Sequence, residues 1–255
     1  NMPAAVQLFE KLLADAQVNK EAYTNMTSDI LKARSDAKLN QGQNFSRLMS
    51  FAMYGPKSPA TNLLTEAELT NMNPQELVDR IHNQNSYKHR ILYYGPSSSK
   101  DLLATINQYH QVPATLKDIP AGNEYSYLET PVTKVLVAPY DAKQIYMAQI
   151  SNLDKKYDPA IEPIRALYDE YFGGGMNSIV FQEMRETRGL AYSAWASIMP
   201  PSYLKYPYVL RTQIATQNDK MIDAVTTFND IINNMPESEA AFKLAKDGLT
   251  NRLRT

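Results

Sequence analysis

The chain has 255 residues, 44% hydrophobic and 21% charged, enough for one large or two ordinary globular domains with cores of their own. Its formal net charge of −1 leaves no basic excess to neutralise phosphates, which argues against a nucleic-acid partner. Cysteine is absent, so disulfides, thiolate metal sites and cysteine nucleophiles are excluded together. No apolar run reaches the roughly 20 residues of a membrane span. The opening "NMPAAVQLFEKLLADAQ" has no basic stretch followed by an apolar core, so no signal peptide is visible. Position 1 is not Met, and the expectation is a processed or excised chain. Compartment stays open between bacterial periplasm and cytoplasm, with periplasm the favoured expectation.

In the first third, Val6, Phe9, Leu12 and Leu13 recur at helical spacing, and amphipathic stretches follow at 22–39 and 44–54. Gly55, Pro56 and Pro59 then predict a loop. Thr65 with Glu68 fits a capping box, and Asn73-Pro74 with Glu76 marks another helix start. "HRILYYG" (89–95) reads as a buried strand closed by Gly95-Pro96, and "SKDLLATINQYH" as a helix. One strand cannot form a sheet, so this part either borrows strands or lacks its own. Pro113, Pro120, Gly122 and Pro131 interrupt any period, and the expected organisation is a mostly helical partial domain over 1–118, a linker over 119–131 and a second domain over 132–255.

Beyond the linker, "TKVLVAP" (133–139) and "KQIYMAQISN" (143–152) read as strands. Asp158-Pro159 caps a helix to about Tyr171, three glycines follow, and then a second helix. "AYSAWASIM" and "YPYVLRTQIATQ" read as a strand pair, before two amphipathic helices at about 219–234 and from Glu237 onward. Strands grouped with blocks of helices, without strict alternation, predict an α+β fold with an antiparallel sheet.

The chemistry is sparse. The three histidines, His82, His89 and His110, form neither H-E-x-x-H nor its inverse H-x-x-E-H, and read as ordinary surface or interface polarity. No metal ligand is assigned in this chain. The Ser elbow G-x-S-x-G is absent. "GGGMNS" lacks the Lys-Ser/Thr of a phosphate loop, and the dinucleotide pattern fails at Ser178. Close packing of a helix end against a sheet accounts for these glycines better than anion binding.

Arg185 and Tyr192 remain. An Arg fork suits carbonyl or carboxylate oxygens, and a Tyr hydroxyl can donate to a developing oxyanion. Gly189 is expected to end the helix and leave Tyr192 at the start of the outgoing strand. On residue types alone, a surface ion pair for Arg185 and a core place in the strand for Tyr192 are the favoured reading.

The stretch "GGGMNSIVFQEMRETRGLAYS" closely resembles the C-terminal signature of the pitrilysin/insulysin family of zinc peptidases (M16), which includes the mitochondrial processing peptidases. "FAMYGPKSPATNLLTEAELTNMNPQELVDRIHNQNSYKHRILYYGP" is similar to the late part of the preceding domain in that family. The resemblance implies an antiparallel sheet with helices packed on one face, as in the processing peptidases, after a partial, mostly helical domain. It implies two halves around a chamber. One half carries H-x-x-E-H and zinc; the other lends an Arg and a Tyr, here Arg185 and Tyr192, to hold a peptide and assist at the scissile carbonyl. The expected role is thus the substrate-positioning, non-zinc portion of a zinc endopeptidase, a fragment of that half, inactive alone. Its expected partners are a peptide substrate and a zinc-bearing half on the same or another polypeptide. The alternative is a catalytically inactive scaffold or peptide-binding subunit of the same kind. Met176 to Met184 would form the packing face of the Arg-bearing helix, and Arg188 a structural ion pair.

Overall fold

The structure, a computed structural model, describes residues 2–254. Its first helices are α1 (Met2–Ala14), α2 (Lys20–Lys38), α3 (Gln41–Tyr54), α4 (Glu66–Asn71), α5 (Gln75–His82) and α6 (Ser99–Tyr109). There follow strand β1 (Gln144–Lys156), α7 (Glu162–Phe172), the short α8 (Ile179–Phe181), β2 (Ser193–Met199), β3 (Pro207–Gln217), α9 (Met221–Asn233) and α10 (Glu239–Arg254). Two compact units emerge: Asn1–Asp36 with Leu63–Glu124, and Ala37–Asn62 with Tyr125–Thr255. The sequence reading grouped 37–62 with the first 118 residues; this segment instead lies in the second unit, where α3 finds a sheet to cover.

In the first unit α1 packs against α5 and α6. The hydroxyl of Tyr23 donates to the Leu69 carbonyl at 2.5 Å and ties α2 to α4. The capping box at α4 forms as expected: Thr65 Oγ1 accepts from the Glu68 N–H at 3.2 Å, and the Thr65 N–H donates to Glu68 Oε2 at 2.7 Å. Asn73 Oδ1 accepts from the Gln75 N–H before α5, and Ser98 Oγ accepts from the Asp101 N–H before α6.

Two expected strands do not form. "HRILYYG" is irregular, with Leu92 91% exposed, and among the described residues this unit has only an isolated bridge between Tyr87 and Lys117. "TKVLVAP" is also irregular, with Val135 82% exposed. Apolar and β-branched content gives both the propensity for a strand, but a strand persists only where a neighbour takes up its backbone groups. Neither segment meets one.

The second unit is an antiparallel three-stranded sheet in the order β1-β3-β2. Alternation assigns its faces. Met147, Ala194, Ala196 and Ile214 point into a core completed by Phe172, Ile179, Val180 and Met184, and by Ala224, Phe228 and Ile231 of α9. Tyr146, one residue from Met147, points the other way and meets Phe45 of α3 edge-on at 5.5 Å. The result is α+β, as the sequence indicates. Among the described residues no helix is long and apolar enough to cross a membrane.

Candidate functional site: the Arg185–Tyr192 turn

The site is built on the join between α7 and β2. A Cβ at Gly173 would stand 2.3 Å from the Ala196 carbonyl oxygen and 2.4 Å from its nitrogen, so only glycine lets the end of α7 press onto β2. Asp169 fastens the same contact. Its carboxylate accepts from the Ile198 N–H at 2.7 Å, from Ser197 Oγ at 2.9 Å and from Arg165 Nη1 at 2.6 Å. Burial nevertheless pushes the Asp169 carboxyl above its ordinary value, because these donors and Arg165 offset the lost hydration only in part.

Past the glycines, Ser178 caps α8, its Oγ accepting from the Phe181 N–H at 3.4 Å. The helix then widens into a π-helical stretch, Gln182–Thr187, which carries Arg185. Such widening is rare and shifts the side chains that follow it relative to an α-helix. Ile179, Val180 and Met184 are buried as the packing face, whereas Met176 is 72% exposed and lies outside it, because it precedes the helix. Gly189 stops the helix with φ +56°, a left-handed conformation that favours glycine, and its N–H donates to the Arg185 carbonyl at 3.1 Å. The Leu190 and Ala191 N–H groups both donate to the Met184 carbonyl, at 2.9 and 3.1 Å. Thr216 Oγ1 donates to the Leu190 carbonyl at 2.6 Å, and the Tyr192 N–H donates to Ala215 at 2.8 Å, opening β2 against β3.

This folded turn brings Arg185 and Tyr192 together. The guanidinium carbon lies 5.6 Å from the centre of the Tyr192 ring and 5.0 Å from that of Phe181. Tyr192 is 70% exposed, not a core residue. Arg185 Nε also faces Glu186 at 3.6 Å, and Arg188 Nε pairs with Glu183 Oε2 at 3.4 Å, the structural pairing expected for it. Phe181 was not singled out from the sequence. Its spacing of four residues before Arg185 on one helix was the available signal. Lys220, whose Nζ donates to the Gly189 carbonyl at 3.1 Å, carried no such signal.

The arrangement presents an exposed cation with aromatic rings on its flanks and a phenol beside it. It can hold a carbonyl or carboxylate and donate a hydrogen bond. Among the described residues no group of three or more His, Asp or Glu stands close enough to hold a metal ion. Of the histidines, His82 Nε2 donates to the Ala16 carbonyl, while His89 and His110 meet each other.

None of the curated proteins matches the chain. Among solved structures it is similar to the peptidase M16 inactive domain from Pseudomonas fluorescens, with a TM-score of 0.65 and 17% identity over 96% of this chain and 60% of that one. It is similar to the periplasmic protease PqqL from Escherichia coli, with a TM-score of 0.73 and 14% identity over 100% of this chain and 28% of that one. A protease from Helicobacter pylori gives a TM-score of 0.67 and 12% identity over 99% of this chain and 62% of that one. At these identities the likeness speaks for the fold, and the chain spans less than two thirds of each relative's length. The family model described as the peptidase M16 inactive domain matches residues 91–249, more than half the chain and the whole Arg185–Tyr192 turn. The chain belongs to the peptidase M16 inactive domain family.

Proposed function

We propose that this chain is the substrate-positioning, non-zinc portion of an M16-type zinc endopeptidase, with Arg185 and Tyr192 facing peptide bound in a cleft shared with a zinc-bearing half. The observation that supports this reading is the meeting of a guanidinium and a phenol at an exposed turn whose backbone is fixed by Gly173, Gly189 and the Met184 carbonyl. Arg185, with rings beside its planar group and Nε facing Glu186, can turn its terminal N–H groups to a peptide carbonyl or carboxylate. Tyr192 Oη donates to the scissile carbonyl oxygen as negative charge develops there. Neither group splits a peptide bond unaided, so the chain alone is inactive, and the zinc belongs to the other half of the enzyme or to a partner subunit.

The second reading is a catalytically silent M16-like scaffold or peptide-holding subunit, which the pairing of Arg185 with Glu186 favours by engaging the guanidinium within its own helix. Titration of the chain with an unstructured peptide, followed by amide resonances, tests the first reading. Shifts centred on residues 181–193 are expected; an unchanged spectrum at saturating peptide rejects it.

A further inference from the structure

His89 and His110 are 21 residues apart in sequence, and the fold of the first unit sets their Nε2 atoms 2.8 Å apart, with the rings nearly perpendicular at 87°. Both Nδ1 atoms are already committed. That of His89 lies 2.6 Å from the Tyr87 carbonyl oxygen, which can only accept, so this nitrogen carries a proton. That of His110 lies 2.7 Å from Glu10 Oε1 and donates to the carboxylate. Glu10 is itself held from its other oxygen, Oε2 accepting from Asn85 Nδ2 at 3.0 Å. With each Nδ1 protonated, two neutral imidazoles would turn bare Nε2 lone pairs at one another. Such a face-off is repulsive unless a cation stands between them.

We propose that His89 and His110 form a two-histidine site for a divalent late transition-metal ion, separate from the Arg185–Tyr192 turn. Three features fit a metal. Each ring donates its remote N–H to a carbonyl or a carboxylate, the support that fixes tautomer and orientation in metal-bound histidines. Imidazole nitrogens suit copper(II), nickel(II) and zinc(II), and the absence of a converging oxygen cage disfavours magnesium and calcium. His110 is held at the C-terminal end of α6 and by Glu10, while His89 sits on the exposed segment after Tyr87, leaving room for water to complete the coordination shell. Two bonds of roughly 2.0–2.1 Å at a tetrahedral angle need nitrogens about 3.4 Å apart. The exposed His89 segment supplies the short outward movement. The rival occupant is a proton shared between the two Nε2 atoms.

The experiment is calorimetric titration of the full chain with zinc chloride and with nickel chloride, alongside imidazole nitrogen resonances. One ion per chain is expected, with both Nε2 signals moving and both Nδ1–H protons retained. His89→Ala and His110→Ala should each abolish saturable binding, and Glu10→Gln should weaken it about tenfold or more. His82→Ala, whose ring bonds elsewhere, should bind as the parent does. Circular dichroism of each variant separates lost binding from lost fold, and the exposed position of His89 makes its variant the decisive one. Absence of saturable binding, binding indifferent to His89→Ala, or a shared Nε2 proton that neither ion displaces would each overturn the proposal.

Discussion

The guanidinium of Arg185 and the ring of Tyr192 lie 5.6 Å apart, centre to centre, although a left-handed glycine and the end of a helix separate them in sequence. A cation over an aromatic face contributes about 0.5–1 kcal/mol at an exposed site, too little to build the turn but enough to bias a flexible side chain within it. The pair is therefore a product of the backbone: the π-helical stretch aims Arg185, and the Tyr192–Ala215 bond fixes the start of β2. If the proposed reading holds and a zinc-bearing half completes the enzyme, Tyr192→Phe in that assembly should lower kcat by on the order of 10²–10³ with little change in KM, as expected for loss of one oxyanion donor. An unchanged kcat would remove Tyr192 from the mechanism.

Arg185→Lys separates charge from shape. Lysine keeps the charge but loses the planar fork and its stacking on Phe181 and Tyr192. If Arg185 grips a carbonyl or carboxylate through two N–H groups, the lysine variant should bind peptide roughly tenfold more weakly, close to Arg185→Ala. Peptide affinity equal to the parent's would mean that the group acts only as a diffuse positive charge.

Gly173→Ala should be the most damaging of the glycine substitutions in this stretch. A methyl group there meets backbone atoms of Ala196 at 2.3–2.4 Å, and backbone cannot yield as a side-chain tip can. The expected cost is about 1–3 kcal/mol of overpacking, seen as faster hydrogen exchange across β2 and β3. Gly175 meets nothing closer than 4.0 Å, and alanine there should be tolerated. Equal effects at the two positions would mean that α7 is not seated on β2 through Gly173.

Much of this was legible because local rules and tertiary contacts agree. The Thr65–Glu68 box, the β2–β3 pair and the end of the helix at Gly189 each declare themselves through a residue type whose backbone or side chain has one natural use. The packing role of the glycines was also readable, though not that Gly173 bears most of it. What local pattern could not supply was partnership. "HRILYYG" and "TKVLVAP" have strand composition, yet strand formation is decided by a neighbour that sequence does not name. The π-helical turn, the Phe181 stack and the meeting of His89 with His110 depend in the same way on geometry set elsewhere in the fold.

The two unpaired segments yield a test of their own. Their amides lack the ladder bonds that protect β1 and β3, so 91–94 and 133–138 should exchange with solvent at near the rate of an unfolded chain, orders of magnitude faster than 209–215. Protection at 133–138 comparable to β3 would show that this segment has found a strand partner in solution.

Asp169 offers a prediction whose sign is fixed by its surroundings. Its carboxyl is raised above the ordinary value, first by burial and further by Glu162, against the pull of Ile198 N–H, Ser197 and Arg165. The folded chain thus holds this proton more tightly than the unfolded chain does. Between the ordinary carboxylate value, about 4, and the raised one, folding takes up a proton, and the Asp169 contribution to stability falls as pH rises. Asp169→Asn removes that titration. Its oxygen can still accept from Ile198, but its NH₂ cannot accept from Arg165, so the variant loses that hydrogen bond and is expected to be less stable at low pH. Urea unfolding of both proteins across the acid range should therefore show a gap that is widest at low pH and narrows as the carboxyl ionises. A gap that widens with rising pH would mean that the three donors outweigh burial and that the carboxylate is the better-held form.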